Sequence, residues 1–238
     1  MGSASTPSEQ PQGRGYDGKY FIAPYVAFLL LTYAESLSPL KEYYPSVYAL
    51  KIVLVAIVCW FCRGAYPSIS RTGLGYAILA GVLGFVLWIG LCELNLEGSL
   101  NAFLPSGLRP APRVGFNPWA VMDDPTLRMA FLCIRFFGLV AIVPLIEELF
   151  MRGWLWRYLQ ADDFTKVPWG NPSRASLLGV TLFFAITHPE YIAATVWSLL
   201  ISGLFIRTRN LWSCITAHAL TNLLLGAYIV WTEHWELW

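Results

Sequence analysis

Two adjacent carboxylates, Glu147 and Glu148, two histidines, His188 and His218, and the amide of Asn222 all fall within or at the end of apolar runs. An ionisable group at bilayer depth costs at least about 2.5 kcal/mol on insertion scales, which makes each of them a candidate for function. A carboxylate shielded from bulk water is a competent general base, so Glu147 is fitted to take a proton from water, and His188 to hold that water or share the proton. His218 and Asn222 are four residues apart and lie on one helix face. They can donate hydrogen bonds to an oxyanion, each worth about 3 kcal/mol when well placed. Glu148 and Arg152 have the same spacing and pair along their helix, which leaves Glu147, about 100° around, facing elsewhere. The chemistry this set suits is hydrolysis of a carbonyl compound by activated water. The same Glu147, His188 and His218 would also make a three-ligand site for a divalent metal such as zinc, with water in the fourth position. The two histidines are thirty residues apart and no HExxH is present, so the local metalloprotease signature is missing, but the residues by themselves leave catalysis without a cofactor and catalysis with zinc both open.

These residues need a membrane around them. Of the 238 residues, 56% are hydrophobic and only 13% charged, about half the charge density of a soluble domain. The sixteen Lys and Arg are spread between apolar runs, which excludes nucleic acid as a partner. A helix needs about 20 mostly apolar residues to cross the hydrocarbon layer. Seven runs qualify as candidates: 20–37, 44–62, 73–92, 127–159, 176–188, 191–206 and 211–231. The expected fold is therefore all-α, a polytopic membrane protein of seven or eight transmembrane helices. A polar tail over 1–19 precedes a single helical domain over 20–238, with the motif-bearing core at about 127–231. The stretch 95–125, rich in proline, reads as a loop outside the membrane or a segment lying on its surface.

Depth arithmetic brings the polar residues together. Glu147 lies twelve residues before Leu159 and His188 twelve after Ser176, about 18 Å from the same surface in each case. His218 and Asn222 lie eight and twelve residues after Asn210, about 12 and 18 Å in. Four side chains from three helices converge on one layer.

Three motifs, in order, carry a resemblance. Glu147-Glu148-Leu-Phe-Met-Arg152 resembles EExxxR, Phe184 to His188 resembles FxxxH, and His218 to Asn222 resembles HxxxN of the CAAX proteases and bacteriocin-processing enzymes, the abortive-infection family. The match covers about 131–227. It implies an all-helical intramembrane endopeptidase similar to the type II CAAX prenyl endopeptidase, with Glu147 as base and His188 as its partner. It also implies an oxyanion pocket of His218 and Asn222, supported by Glu148 and Arg152. Phe184 is expected to pack more than to react. The first half shows no family motif, although its length and Pro-rich loop resemble bacterial members associated with exosortase protein sorting.

The expected partners are a membrane-associated protein or peptide substrate and the lipid bilayer. Basic residues concentrate on the segments that an amino terminus in the cytoplasm would place inside, and the absence of glycosylation sequons points to a bacterial inner membrane. The rival readings are a proton- or ion-coupled transporter and a catalytically silent scaffold of the same fold. Lys51 is expected to snorkel to the interface, and the tryptophans at span ends, Trp154, Trp156, Trp169, Trp231, Trp235 and Trp238, to anchor there. Arg135, also at membrane depth, has no assigned role. Cys59 and Cys62 read as packing residues, not as a metal or redox pair.

Overall fold

A computed structural model describes residues 17–103, 105 and 115–238. The expected polar tail lies outside these residues up to position 16, as does most of the centre of the Pro-rich stretch. The described residues form helices and turns: α1 (Lys19–Glu35), α2 (Tyr44–Cys62), α3 (Leu74–Glu93), α4 (Leu96–Ala102), α5 (Pro118–Val121), α6 (Pro125–Phe137), α7 (Val143–Glu148), α8 (Trp156–Tyr158), α9 (Arg174–Ile186), α10 (Tyr191–Thr208) and α11 (Leu211–Thr232). All seven apolar runs are helical. Five helical stretches, Leu40–Ala65, Leu74–Ala102, Pro125–Tyr158, Tyr191–Thr208 and Leu211–Thr232, are long and apolar enough to cross a membrane, while α1 and α9 are shorter. The chain is an all-α integral membrane protein.

Local chemistry sets the boundaries. Asp124 accepts hydrogen bonds from Thr126 N and Leu127 N, with Pro125 at the first helical position, so the long helix starts there. Asn210 caps α11 through Trp212 N at 3.1 Å. The amino terminus of α10 is capped from a distance: Ile192 N donates to Glu97 Oε1 of α4 at 3.0 Å. Part of the expected loop is therefore a short helix, and it is tied to the turn that follows His188.

Pro125 to Tyr158 runs as one helical stretch with two π-helical segments, Gly138–Ile142 and Leu149–Leu155, on either side of α7. Such i→i+5 turns add a residue to the turn and re-aim the side chains beyond it, and they concentrate at functional sites. The helix α7 carries Glu147 and Glu148.

α3 packs along α11, and α10 along both α9 and α3. The α3–α11 contact depends on glycine: a Cβ on Gly81 would lie 2.8 Å from Ala217 O, and one on Gly84 2.9 Å from Thr221 Oγ1. Thr221 donates across the seam to Gly81 O at 2.9 Å.

Lys51 corrects the snorkelling expectation. It is 3% exposed, and its Nζ meets Glu35 Oε1 at 2.8 Å and Thr32 Oγ1 at 3.2 Å. α1 lies against α2 and presents a carboxylate within reach, so the amine need not travel to the interface. Arg135 donates to Tyr44 Oη at 3.2 Å and lies over the Tyr48 ring. Of the expected anchors, Trp231 is exposed, but Trp156 and Trp235 are buried. Trp156 donates Nε1–H to Asn171 O at 2.9 Å and fixes the turn between α8 and α9. Cys59 and Cys62 are buried free thiols.

Candidate active site

One cavity of about 150 Å³ is lined by Glu147, Phe184, His188, His218 and Asn222 together with Trp88, Trp197, Glu190, Thr221 and aliphatic side chains. That is room for several water molecules, and the polar groups needed to hold them are present. The residues that the sequence assigns to catalysis thus share a single hollow. Glu148 and Arg152 lie behind it, both fully buried.

Glu147 is 6% exposed, and its Oε2 has no hydrogen-bond partner. The nearest ionisable partner is His218 Nε2 at 3.9 Å, beyond direct hydrogen-bond reach. No hydrogen bond joins Glu147 to His188; the cavity lies between them. His188 follows the end of α9, where its Nδ1 lies 2.8 Å from Phe184 O. Its ring stacks on Phe184 at 4.1 Å and meets Trp88 edge-on at 5.8 Å. Phe184 is therefore the platform that holds the imidazole, in accord with its expected packing role.

Glu148 Oε1 lies 3.1 Å from Arg152 Nη1 and 3.0 Å from His218 Nδ1. The i,i+4 pair with Arg152 has formed as expected; the link to His218 was not anticipated. Arg152 also donates from Nη2 to Ser198 O at 3.1 Å and Ser198 Oγ at 3.2 Å, fastening the long helix to α10. The His218 ring lies 4.4 Å from that of Trp197. Asn222 donates from Nδ2 to Leu139 O at 2.9 Å, a carbonyl inside the first π segment. An amide nitrogen carries two hydrogens, so one remains for the cavity that Asn222 lines.

This arrangement sets a buried carboxylate, two imidazoles and an amide N–H around one hollow. Residues 129–224 match the family described as type II CAAX prenyl endopeptidase Rce1-like. Over that stretch the chain is similar to the CAAX proteases. No curated protein and no solved structure matches it. The CAAX protease match holds Glu147, Glu148, Arg152, Phe184, His188, His218 and Asn222 and leaves out the first half of the chain, so it carries nothing on the exosortase-associated subgroup.

Sequence reasoning missed Trp88, Trp197 and Ser198. Trp88 comes from α3, outside the CAAX protease match, in a run with no polar signal. Trp197 was equally silent; only the coordinates bring its ring against both Phe184 and His218. Among the described residues no group of three His, Cys, Asp or Glu side chains is placed to hold a metal ion.

Proposed function

We propose that the protein is an intramembrane endopeptidase in which Glu147 removes a proton from a cavity water that then attacks a peptide carbonyl. The observation that carries this reading is the partnerless Oε2 of Glu147, buried and facing His218 across 3.9 Å in a cavity large enough for water. A buried polar atom without a partner is rare, and here a water supplies the missing one. His188, locked by Phe184, holds that water from the other side. Asn222 presents its second amide hydrogen to the oxyanion, and Glu148 with Arg152 fixes the frame. Catalysis proceeds without a metal.

The substrate is a membrane-associated protein or peptide, and the bilayer delivers it. The enzyme resides in a bacterial inner membrane with its amino terminus in the cytoplasm. Apart from the polar groups, the cavity walls are aromatic and aliphatic, which suits an apolar side chain next to the scissile bond.

The test is cleavage by the purified protein in micelles of three quenched peptides: a farnesylated C-terminal tail, a bacteriocin leader and a sorting-signal segment. Glu147→Gln and His188→Ala each lower kcat/KM on the accepted peptide by about 10²-fold or more. Unchanged rates in both variants would remove the assignment of base and partner. A parent that cuts none of the three while carrying protons into liposomes is a transporter.

A further inference from the structure

The two histidines have their tautomers set from outside the cavity. Arg152 Nη1 and Glu148 Oε1 form an ion pair at 3.1 Å, so the oxygen that His218 shares with the guanidinium belongs to a carboxylate. A carboxylate has no hydrogen to give. The hydrogen on the 3.0 Å contact to His218 therefore sits on Nδ1. His188 is fixed in the same way, because the Phe184 carbonyl 2.8 Å from its Nδ1 can only accept. A neutral imidazole with its proton on Nδ1 has a lone pair on Nε2. His218 turns that lone pair towards Glu147 Oε2. In this form it cannot donate to an oxyanion, the part that resemblance to the family gives it.

We propose that His218 is the proton carrier to the leaving amine and that Glu148 is the positioning residue that sets its tautomer. This rests on the hydrolase reading. As the water oxygen bonds to the carbonyl carbon, the carbonyl π pair moves onto oxygen, towards Asn222, and the water proton goes to Glu147. That proton passes to His218 Nε2 through a second cavity water that bridges the 3.9 Å gap, and the imidazolium so formed lies between Glu148 and Glu147. When the π bond re-forms and the C–N bond breaks, the departing nitrogen takes the proton from Nε2. Amide and water become amine and carboxylic acid, and His218 returns to its starting form. The carboxylate–imidazole pair acts as in serine hydrolases, where a buried acid holds the ring and stabilises its charged state.

Two measurements on the full chain in micelles test this. The chain has only three histidines, so ¹⁵N-histidine spectra resolve each ring once His188→Gln and His234→Gln variants assign the signals. At neutral pH the His218 ring carries its proton on Nδ1 and a bare Nε2; a proton on Nε2 in the resting protein overturns the proposal, whatever is or is not cut. Glu148→Gln moves that proton to Nε2, because Arg152 claims the amide oxygen and turns the amide N–H groups to Nδ1, and kcat falls while KM holds. Retention of the parent spectrum in Glu148→Gln refutes the positioning role.

The kinetic arm compares an amide with the p-nitrophenyl ester of the same peptide, whose leaving group departs unprotonated. His218→Gln lowers amide cleavage by about 10²-fold or more and ester cleavage by less than about tenfold. Equal losses on both substrates return His218 to the oxyanion and overturn the relay alone. A parent that cuts neither substrate overturns the hydrolase reading and the relay with it. Thermal unfolding of each variant identifies any that has simply failed to fold.

Discussion

Arg152→Met is the substitution that most directly probes the buried polar frame. Methionine keeps the length and apolar bulk but removes a cation that is 0% exposed and bonds to Glu148 Oε1, Ser198 O and Ser198 Oγ. The Glu148 charge is then stranded, with the His218 N–H as its one remaining donor and its Oε2 already without a partner. Breaking a buried pair from one side costs about 3–5 kcal/mol. The abandoned Ser198 carbonyl adds about 1 kcal/mol or more, not fully additive with the first loss. Glu148→Gln added to Arg152→Met removes the stranded charge and recovers about half of that loss. Folding free energies come from reversible unfolding in mixed micelles, arranged as a double-mutant cycle. The expected coupling is about 2–3 kcal/mol, and cleavage stays lost in the double variant because His218 has lost its carboxylate. A single variant costing under about 1 kcal/mol, as exposed pairs do, or a double variant no more stable than the single, would refute the reasoning.

Lys51→Met strands Glu35 in the α1–α2 seam and lowers stability by about 3 kcal/mol, whereas Glu35→Gln/Lys51→Met recovers most of it; unfolding curves decide, and turnover per folded molecule is unchanged. Gly81→Ala sets a Cβ 2.8 Å from a backbone carbonyl of α11 that no rotamer change can relieve, so stability falls by about 1–3 kcal/mol, read from the same curves. Asn222→Ala lowers kcat by about 10²-fold or more with little change in KM, measured on the accepted peptide. Prolonged dialysis against a strong chelator leaves that cleavage within about twofold of the untreated enzyme, with metal content followed by elemental analysis.

The helices were legible in the sequence because lipid leaves a chain few alternatives: every backbone group must be satisfied internally, so an apolar run of sufficient length is a helix. The shared depth of Glu147, His188, His218 and Asn222 was legible for the same reason, since the rise per residue is fixed. What periodicity could not give was azimuth. The π segments Gly138–Ile142 and Leu149–Leu155 rotate the helix on both sides of the carboxylates, and no residue in them announces an i→i+5 turn. Hence the Glu148–Arg152 pair, confined to one stretch of helix, was foreseen, while the Glu148–His218 contact between residues 70 apart was not. Lys51 was misread because snorkelling assumes that the interface is the nearest polar place; here Glu35 is nearer. The cavity walls stayed hidden because Trp88 and Trp197 resemble any other apolar residue in a span.

Asn222 joins two of these features. A π turn displaces carbonyls from the regular ladder, and at bilayer depth no bulk water is present to satisfy them. Leu139 O, inside the first π segment, is met by the side chain of Asn222 from α11. The same amide lines the cavity through which Glu147 faces His218. The distortion that re-aims α7 and the proposed oxyanion donor therefore meet in one residue, which ties the orientation of Glu147 to the position of α11. Because α11 is itself seated against α3 by Gly81, Gly84 and Thr221, the geometry of a site read wholly from the second half of the chain depends on a helix from the first. A match limited to 129–224 spans the candidate residues, but it does not contain everything that holds them in register.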